Sequence, residues 1–205
     1  REELKEKLEP AEPGLYKLKP ELRLSEIPSG SFDPRFIVSG EISTIYKKNG
    51  RTRKVHSLIL LPGLDVADRL SEELEKIGNI HSDGRPILGL DCHDLLDMAL
   101  TICPEAMYIP AHIWTPHFSV FGAFSGFDSM EECFEELTPH IHAVETGLSS
   151  DPPMNWSVPS LSRYQLISNS DAHSPSKLGR EATLLATGLS YREIYTAIQT
   201  GNGLA

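Results

Sequence analysis

With 205 residues, 40% of them hydrophobic and 23% charged, the chain has ordinary globular composition and suits one domain with a sizeable core, or a large part of one. A formal charge of −10 argues against coating nucleic acid by bulk attraction, although a local basic groove stays open because steering depends on where charges sit. No run approaches the ~18 apolar residues of a membrane span, and the widely spaced Cys92, Cys103 and Cys133 form neither a CxxC zinc pair nor a disulfide framework.

The expectation is therefore a reducing, cytoplasmic compartment with no membrane partner. No segment reads as a secretory signal. The chain opens without Met inside what reads as a charged helix, as a fragment would.

Residues 1–34, rich in Pro, Glu and Lys, read as that helix followed by an irregular lead-in, and 35–205 as the functional domain. "RFIVSGEISTIY" and "RKVHSLILLP" predict two strands joined at "KNGR", with the basic run "KKNGRTRK" a solvated hairpin turn. "DVADRLSEELEKIGNI" predicts an amphipathic helix capped by Asp65 and ending near Gly78. After the loop "HSDGRPILGL", "DCHDLLDMALTIC" predicts a second helix with Asp91 as its cap. "AMYIPAH" is a short strand and "DSMEECFEELTPH" a helix with Asp128 as cap. "IHAVETGL" and "YQLISNSDAH" are further strands, and "SYREIYTAIQTG" a late helix between Ser190 and Gly201. This alternation predicts an α/β domain, either a barrel or distorted barrel with its chemistry at the strand ends or an open doubly wound sheet.

Five polar residues fall at four strand ends: Glu41, His56, His112, Asp171 and His173. Residues i and i+2 of a strand point to one side, so Asp171 and His173 can converge on one centre. Carboxylate and imidazole together suit zinc, manganese or iron, and two ions stabilise the attacking and leaving oxygens of a phosphoryl displacement. Each residue also has a plainer reading. Glu41 can face water, His56 can be a core histidine, and His112 can pack a loop. Asp171 can form a turn and His173 a cap. All five plain readings must hold together for the set to be coincidence.

"GE" followed by "VH", then "PAH" and "SDAH", resemble the later metal motifs of the PHP phosphoesterases. The longer strings "PAHIWTPHFSVFGAFSGFDS", "VETGLSSDPPMNW" and "SNSDAHSPSKLGREA" resemble the endonuclease Q family, and the likeness runs from roughly Pro34 to Gly203. The resemblance implies a distorted PHP-type β/α barrel holding two to three divalent ions in a complete site, zinc or manganese, with magnesium as a further option. It implies Glu41, His56, His112, Asp171 and His173 as metal ligands, with Asp171, His173 and a bridging Glu41 carrying the chemistry. The implied reaction is nicking of DNA 5′ of deaminated bases and abasic sites, in the company of replication or repair proteins. The family's first motif, an HxH on the first strand, has no match here, which predicts an incomplete barrel and an inactive or partly metallated site. "HSDG" at 81–84 is read as an unrelated loop.

Around those residues, Ile113 to Phe127 carries five large aromatic side chains and no Asp, Glu, Lys or Arg. Its aromatics either pack beneath a loop or hold an unstacked base, with Trp114 as the leading candidate for the second role. Lys177 and Arg180 either bind phosphate beside a helix starting near Ser174 or Ser176, or sit on an exposed first turn. Glu145 either orients a ligand histidine or touches substrate. His140 and His142 read as positions without metal. Two other functions compete: a phosphomonoesterase for a small metabolite, favoured by the acidic charge, and a noncatalytic docking module.

Overall fold

The N-terminal stretch expected to be irregular is built into the main sheet. In the computed structural model, which describes residues 2–23, 33–81 and 87–204, helix α1 (Glu2–Lys7) leads into strands β1 (Leu8–Pro10) and β2 (Leu15–Leu18). These pair antiparallel, and the Pro- and Gly-rich run between them is simply their turn, with Gly14 at φ +75°. β2 then pairs with β3 (Phe36–Lys48) through Leu15–Ile37 and Tyr16–Phe36. The sequence could not announce this, because the pairing is tertiary. Most of "IPSGSFDP" lies outside the described residues.

β3 and β4 (Arg51–Leu61) form the long antiparallel spine, in register from Val38↔Leu61 to Lys48↔Arg51. The expected turn is there: Asn49 and Gly50 both take positive φ, as a two-residue hairpin loop requires. The basic run around it is less solvated than expected, since Lys48 pairs with Asp91 and Glu135 and the buried Arg53 with Glu132. Alternation divides the spine into two faces. Ile42, Val55, Ile59 and Leu61 face one core, whereas Leu60 joins Met107 and Ile109 in the other.

Helix α2 (Leu64–Glu75) turns Leu70 and Leu74 into the first core. It starts one residue before Asp65, at an N-cap of Gly63, and the Leu64 N–H finds its acceptor in the Tyr16 hydroxyl at 3.1 Å. β5 (Ile87–Leu88) lies parallel to β3. α3 (Cys92–Ile102) is capped by Asp91 as expected, through the His93 N–H at 2.9 Å. β6 (Met107–Pro110) pairs with β4, so the strand order is β1-β2-β3-β4-β6, with β5 on β3.

α4 (Met130–Phe134) is capped by Ser129 rather than Asp128, and passes into a 3₁₀ segment, Glu135–His140, that accommodates Pro139. β7 (Ala143–Glu145), α5 (Pro152–Trp156) and β8 (Gln165–Ile167) follow, with β7 and β8 forming a separate parallel pair. α6 (Tyr191–Thr200) has the expected Ser190 cap and a left-handed Gly201 at its end. Its Tyr191 and Ile198 cover the second core. Among the described residues the two sheets do not close into a barrel. The α/β expectation holds, and the strand exits still gather, because Ile113 donates to the Glu145 carbonyl and Thr146 to that of Ile167, each at 3.0 Å.

Candidate metal centre

Antiparallel register decides which side chains meet. Glu41 stands opposite Leu58 and Ser43 opposite His56, so Glu41, Ser43 and His56 share one face of the β3–β4 spine. His112 reaches the same place from the exit of β6, where the preceding Ala111 donates to the His56 carbonyl at 3.1 Å. The outcome is a compact triad. His56 Nδ1 lies 3.1 Å from His112 Nε2 and 3.1 Å from Glu41 Oε1, and His112 Nε2 lies 3.6 Å from that same oxygen. Both imidazoles are buried.

Those separations test the fit to a metal. Ligand atoms at the vertices of a tetrahedron with ~2.1 Å bonds stand about 3.4 Å apart, and the three measured separations bracket that value. Two imidazole nitrogens and one carboxylate oxygen are the donor set of a divalent transition ion. The triad can therefore hold one divalent cation, and it is the one group of three or more such donors that converges among the described residues. Burial works to lower the His112 pKa, but the bond and charge of Glu41 outweigh it and leave the value raised.

The other two expected ligands sit differently. β8 ends at Ile167, and Asp171 has φ +45°, so the alternation invoked for Asp171 and His173 does not operate there. Asp171 lines a cavity of about 570 Å³ together with Glu41 and Glu145. His173 is exposed, and its Nδ1 lies 2.9 Å from the Asp171 carbonyl oxygen. The geometry thus brings three of the five together and leaves Asp171 on the wall of the adjoining cavity.

Trp114 is packed on Phe121, with ring centroids 5.1 Å apart, and its indole N–H donates to Asn155 Oδ1 at 2.9 Å. Arg180 donates to the carbonyls of Ser170 and Asp171 at 2.6 and 3.1 Å, bracing the loop that carries Asp171. Lys177 is exposed on a single 3₁₀ turn, Pro175–Lys177, in place of the helix expected near Ser174. Glu145 is buried, which pushes its carboxyl pKa up even though Asn169 and the His112 N–H both donate to it. Of "HSDG", only His81 is described; it is exposed, 3.5 Å from Glu75, and the rest lies outside the described residues.

Several participants escaped the sequence. The Phe118 ring lies tilted against His56 with centroids 4.7 Å apart, and its carbonyl accepts the His56 N–H at 3.0 Å. Ser43 Oγ and His112 Nδ1 are buried with no hydrogen-bond partner among the described residues. The two-residue spacing of Glu41 and Ser43 was the available signal for the first of these orphans.

The expected placement at strand ends holds for His112 alone, since Glu41 and His56 lie in the middle of β3 and β4. An α/β fold with one partial Glu-His-His centre defines the class, and the fold resembles the PHP-like fold of endonuclease Q. The lesion-specific endonuclease Q of Pyrococcus furiosus superimposes with a TM-score of 0.75 at 26% identity, over 99% of this chain and 45% of that one. An endonuclease Q complex with a 27-mer duplex, carrying an abasic lesion at the active site, gives 0.75 and 26% over 99% and 46%. The uncharacterized protein YqxK of Bacillus subtilis is 36% identical over 145 residues, 69% of this chain and 33% of its own length. The uncharacterized protein MJ0043 of Methanocaldococcus jannaschii is 40% identical over 101 residues, 46% of this chain and 12% of its own. The chain thus spans less than half the length of each of these proteins. No protein-family model matches it.

Proposed function

We propose that the chain carries part of a metal-dependent phosphodiesterase that nicks DNA 5′ of deaminated bases or abasic sites. The observation that carries this reading is the convergence of Glu41, His56 and His112, in a fold similar to that of an endonuclease crystallised on an abasic duplex. A divalent ion bound there supplies Lewis-acid neutralisation of phosphate charge and activation of a water.

The chain's own residues do the rest. Glu41, His56 and His112 hold the ion, and Asp171 and His173 extend the ligand set towards the two or three ions the sequence resemblance implies. Zinc or manganese fits a mixed nitrogen and oxygen donor set better than magnesium does. Lys177, exposed beyond Asp171, meets a backbone phosphate. The base-holding role for which Trp114 was the leading candidate suits Phe124 better, since Phe124 is exposed and stacked on His117 at 4.5 Å. An abasic or mispaired site lowers the cost of extruding a nucleotide.

The test is a nicking assay on duplexes carrying one deoxyuridine, deoxyinosine or abasic site, with Mg²⁺, Mn²⁺ or Zn²⁺ and with chelator, run on this chain and on a version extended to carry the HxH strand. Metal-dependent nicking 5′ of the lesion by the extended version, sharply reduced by Asp171→Asn, is the expected result. Lesion DNA left intact by the extended version under every metal, with the protein folded and metallated, overturns it. A second reading, hydrolysis of a small phosphoester, is favoured by the cavity of about 570 Å³, a size typical of small-ligand sites. Release of inorganic phosphate without strand nicking would establish that reading.

A further inference from the structure

The backbone of His112 is in an unusual state. Its φ is +30°, a region that side-chain-bearing residues occupy only when their surroundings hold them there. Strand β7 does the holding. Glu145 Oε2 accepts the His112 N–H at 2.9 Å, and the Glu145 carbonyl accepts the N–H of Ile113 at 3.0 Å. Two residues on, Gly147 has φ +62°, and a Cβ there would come within 2.4 Å of the His112 Cβ. The absence of a side chain at 147 is what lets His112 lie against β7. The other carboxylate oxygen, Oε1, accepts Asn169 Nδ2 at 2.8 Å, tying the exit of β6 to that of β8. Both oxygens of this buried carboxylate are therefore engaged by protein donors.

We propose that Glu145 is a positioning residue, and that with Gly147 it forms a cradle fixing the His112 imidazole in the orientation that completes the triad with Glu41 and His56. Of the two roles the sequence left open for Glu145, orienting a ligand histidine and contacting substrate, the geometry points to the first. The carboxylate acts through the main chain of His112 and not through its ring. This differs from the usual arrangement, in which the outer partner bonds the second ring nitrogen of a ligand histidine. The inference rests on the metal-centre reading above.

The experiment is a Co²⁺ titration of the full chain, following the ligand-field absorption and the dissociation constant by competition with a chelator. His112→Ala, Glu145→Ala, Glu145→Gln and Asn169→Ala are compared with the unaltered chain, and circular dichroism reports the fold. Removing an outer partner of a metal ligand lowers affinity by about 10–100-fold. Glu145→Ala is expected to fall in that range with a changed ligand-field spectrum. Glu145→Gln keeps an oxygen for the His112 N–H and is expected to restore both affinity and spectrum to within about threefold of the unaltered chain. Asn169→Ala frees one carboxylate oxygen and is expected to lie between; it serves in place of Glu145→Ala if that variant does not fold. A merely structural role would lower stability and leave the Co²⁺ spectrum of the folded fraction unchanged. Affinity and spectrum unchanged in Glu145→Ala, with His112→Ala losing the ion, would overturn the positioning role alone. Co²⁺ binding unaffected by His112→Ala would overturn the metal centre and the cradle with it.

Discussion

The candidate ligands fall into two regions built in opposite ways. Glu41 and His56 project from the longest ladder among the described residues, and His112 is pinned against both β4 and β7, so the two imidazoles are buried, Glu41 is half-buried, and this half of the site is over-determined. Asp171 and His173 lie four and six residues beyond the end of β8, on a loop braced by Arg180 and open to solvent at His173. Strand-borne ligands keep their geometry whether or not an ion is bound, whereas loop-borne ones depend on local bonds. The first half is thereby suited to fix the position of an ion.

The sharpest way to break that contrast is to remove a strand-borne ligand. His56→Ala is expected to weaken binding of the first ion by more than about 100-fold, beyond the cost of losing an outer partner, as read by calorimetric titration. Next in size is the scaffold beneath it. Ile59, fully buried on β4, becomes a cavity in Ile59→Ala, with a stability loss of about 3 kcal/mol in urea denaturation. Asp171→Asn separates the two halves: hydrolysis falls about 10–100-fold while affinity for the first ion stays within about threefold. Equal loss of both would show that the halves act as one.

A smaller effect follows from protons. The raised His112 pKa means that the metal-free pair with Glu41 stabilises the fold fully below the ordinary histidine value. That contribution is lost as pH rises through the raised one. Metal binding has the opposite sign, because it needs the neutral imidazole, so affinity falls by about tenfold per pH unit below the raised pKa. Calorimetric titration between pH 5 and 8 would check it (~5 to ~8 spans the ordinary histidine range). The smallest expected effect is on the loop: Leu178→Ala, at a side chain 72% exposed, changes stability by less than about 0.5 kcal/mol.

The same contrast explains what the sequence disclosed. The β3–β4 hairpin was legible because Asn49–Gly50 demands a turn and strand alternation put Glu41 and His56 on defined faces. Asp91 and Ser190 were legible as caps because their bonds are local. The start of α2 was not, because its first N–H is satisfied by Tyr16 from a distant strand, and Ser129 displaced Asp128 because adjacent polar residues compete for one cap. Period-two reasoning failed at Asp171, where a positive φ ends the strand geometry. Gly147 and Asn169 gave no signal, since their roles exist only once β6, β7 and β8 lie side by side.

The most direct test is the metal content of the purified chain after equilibration with Zn²⁺ and gel filtration, set beside a triple variant, Glu41→Gln, His56→Ala and His112→Ala. At least one tightly held ion per chain is expected, and one fewer in the folded triple variant. Equal content in the two proteins would contradict it.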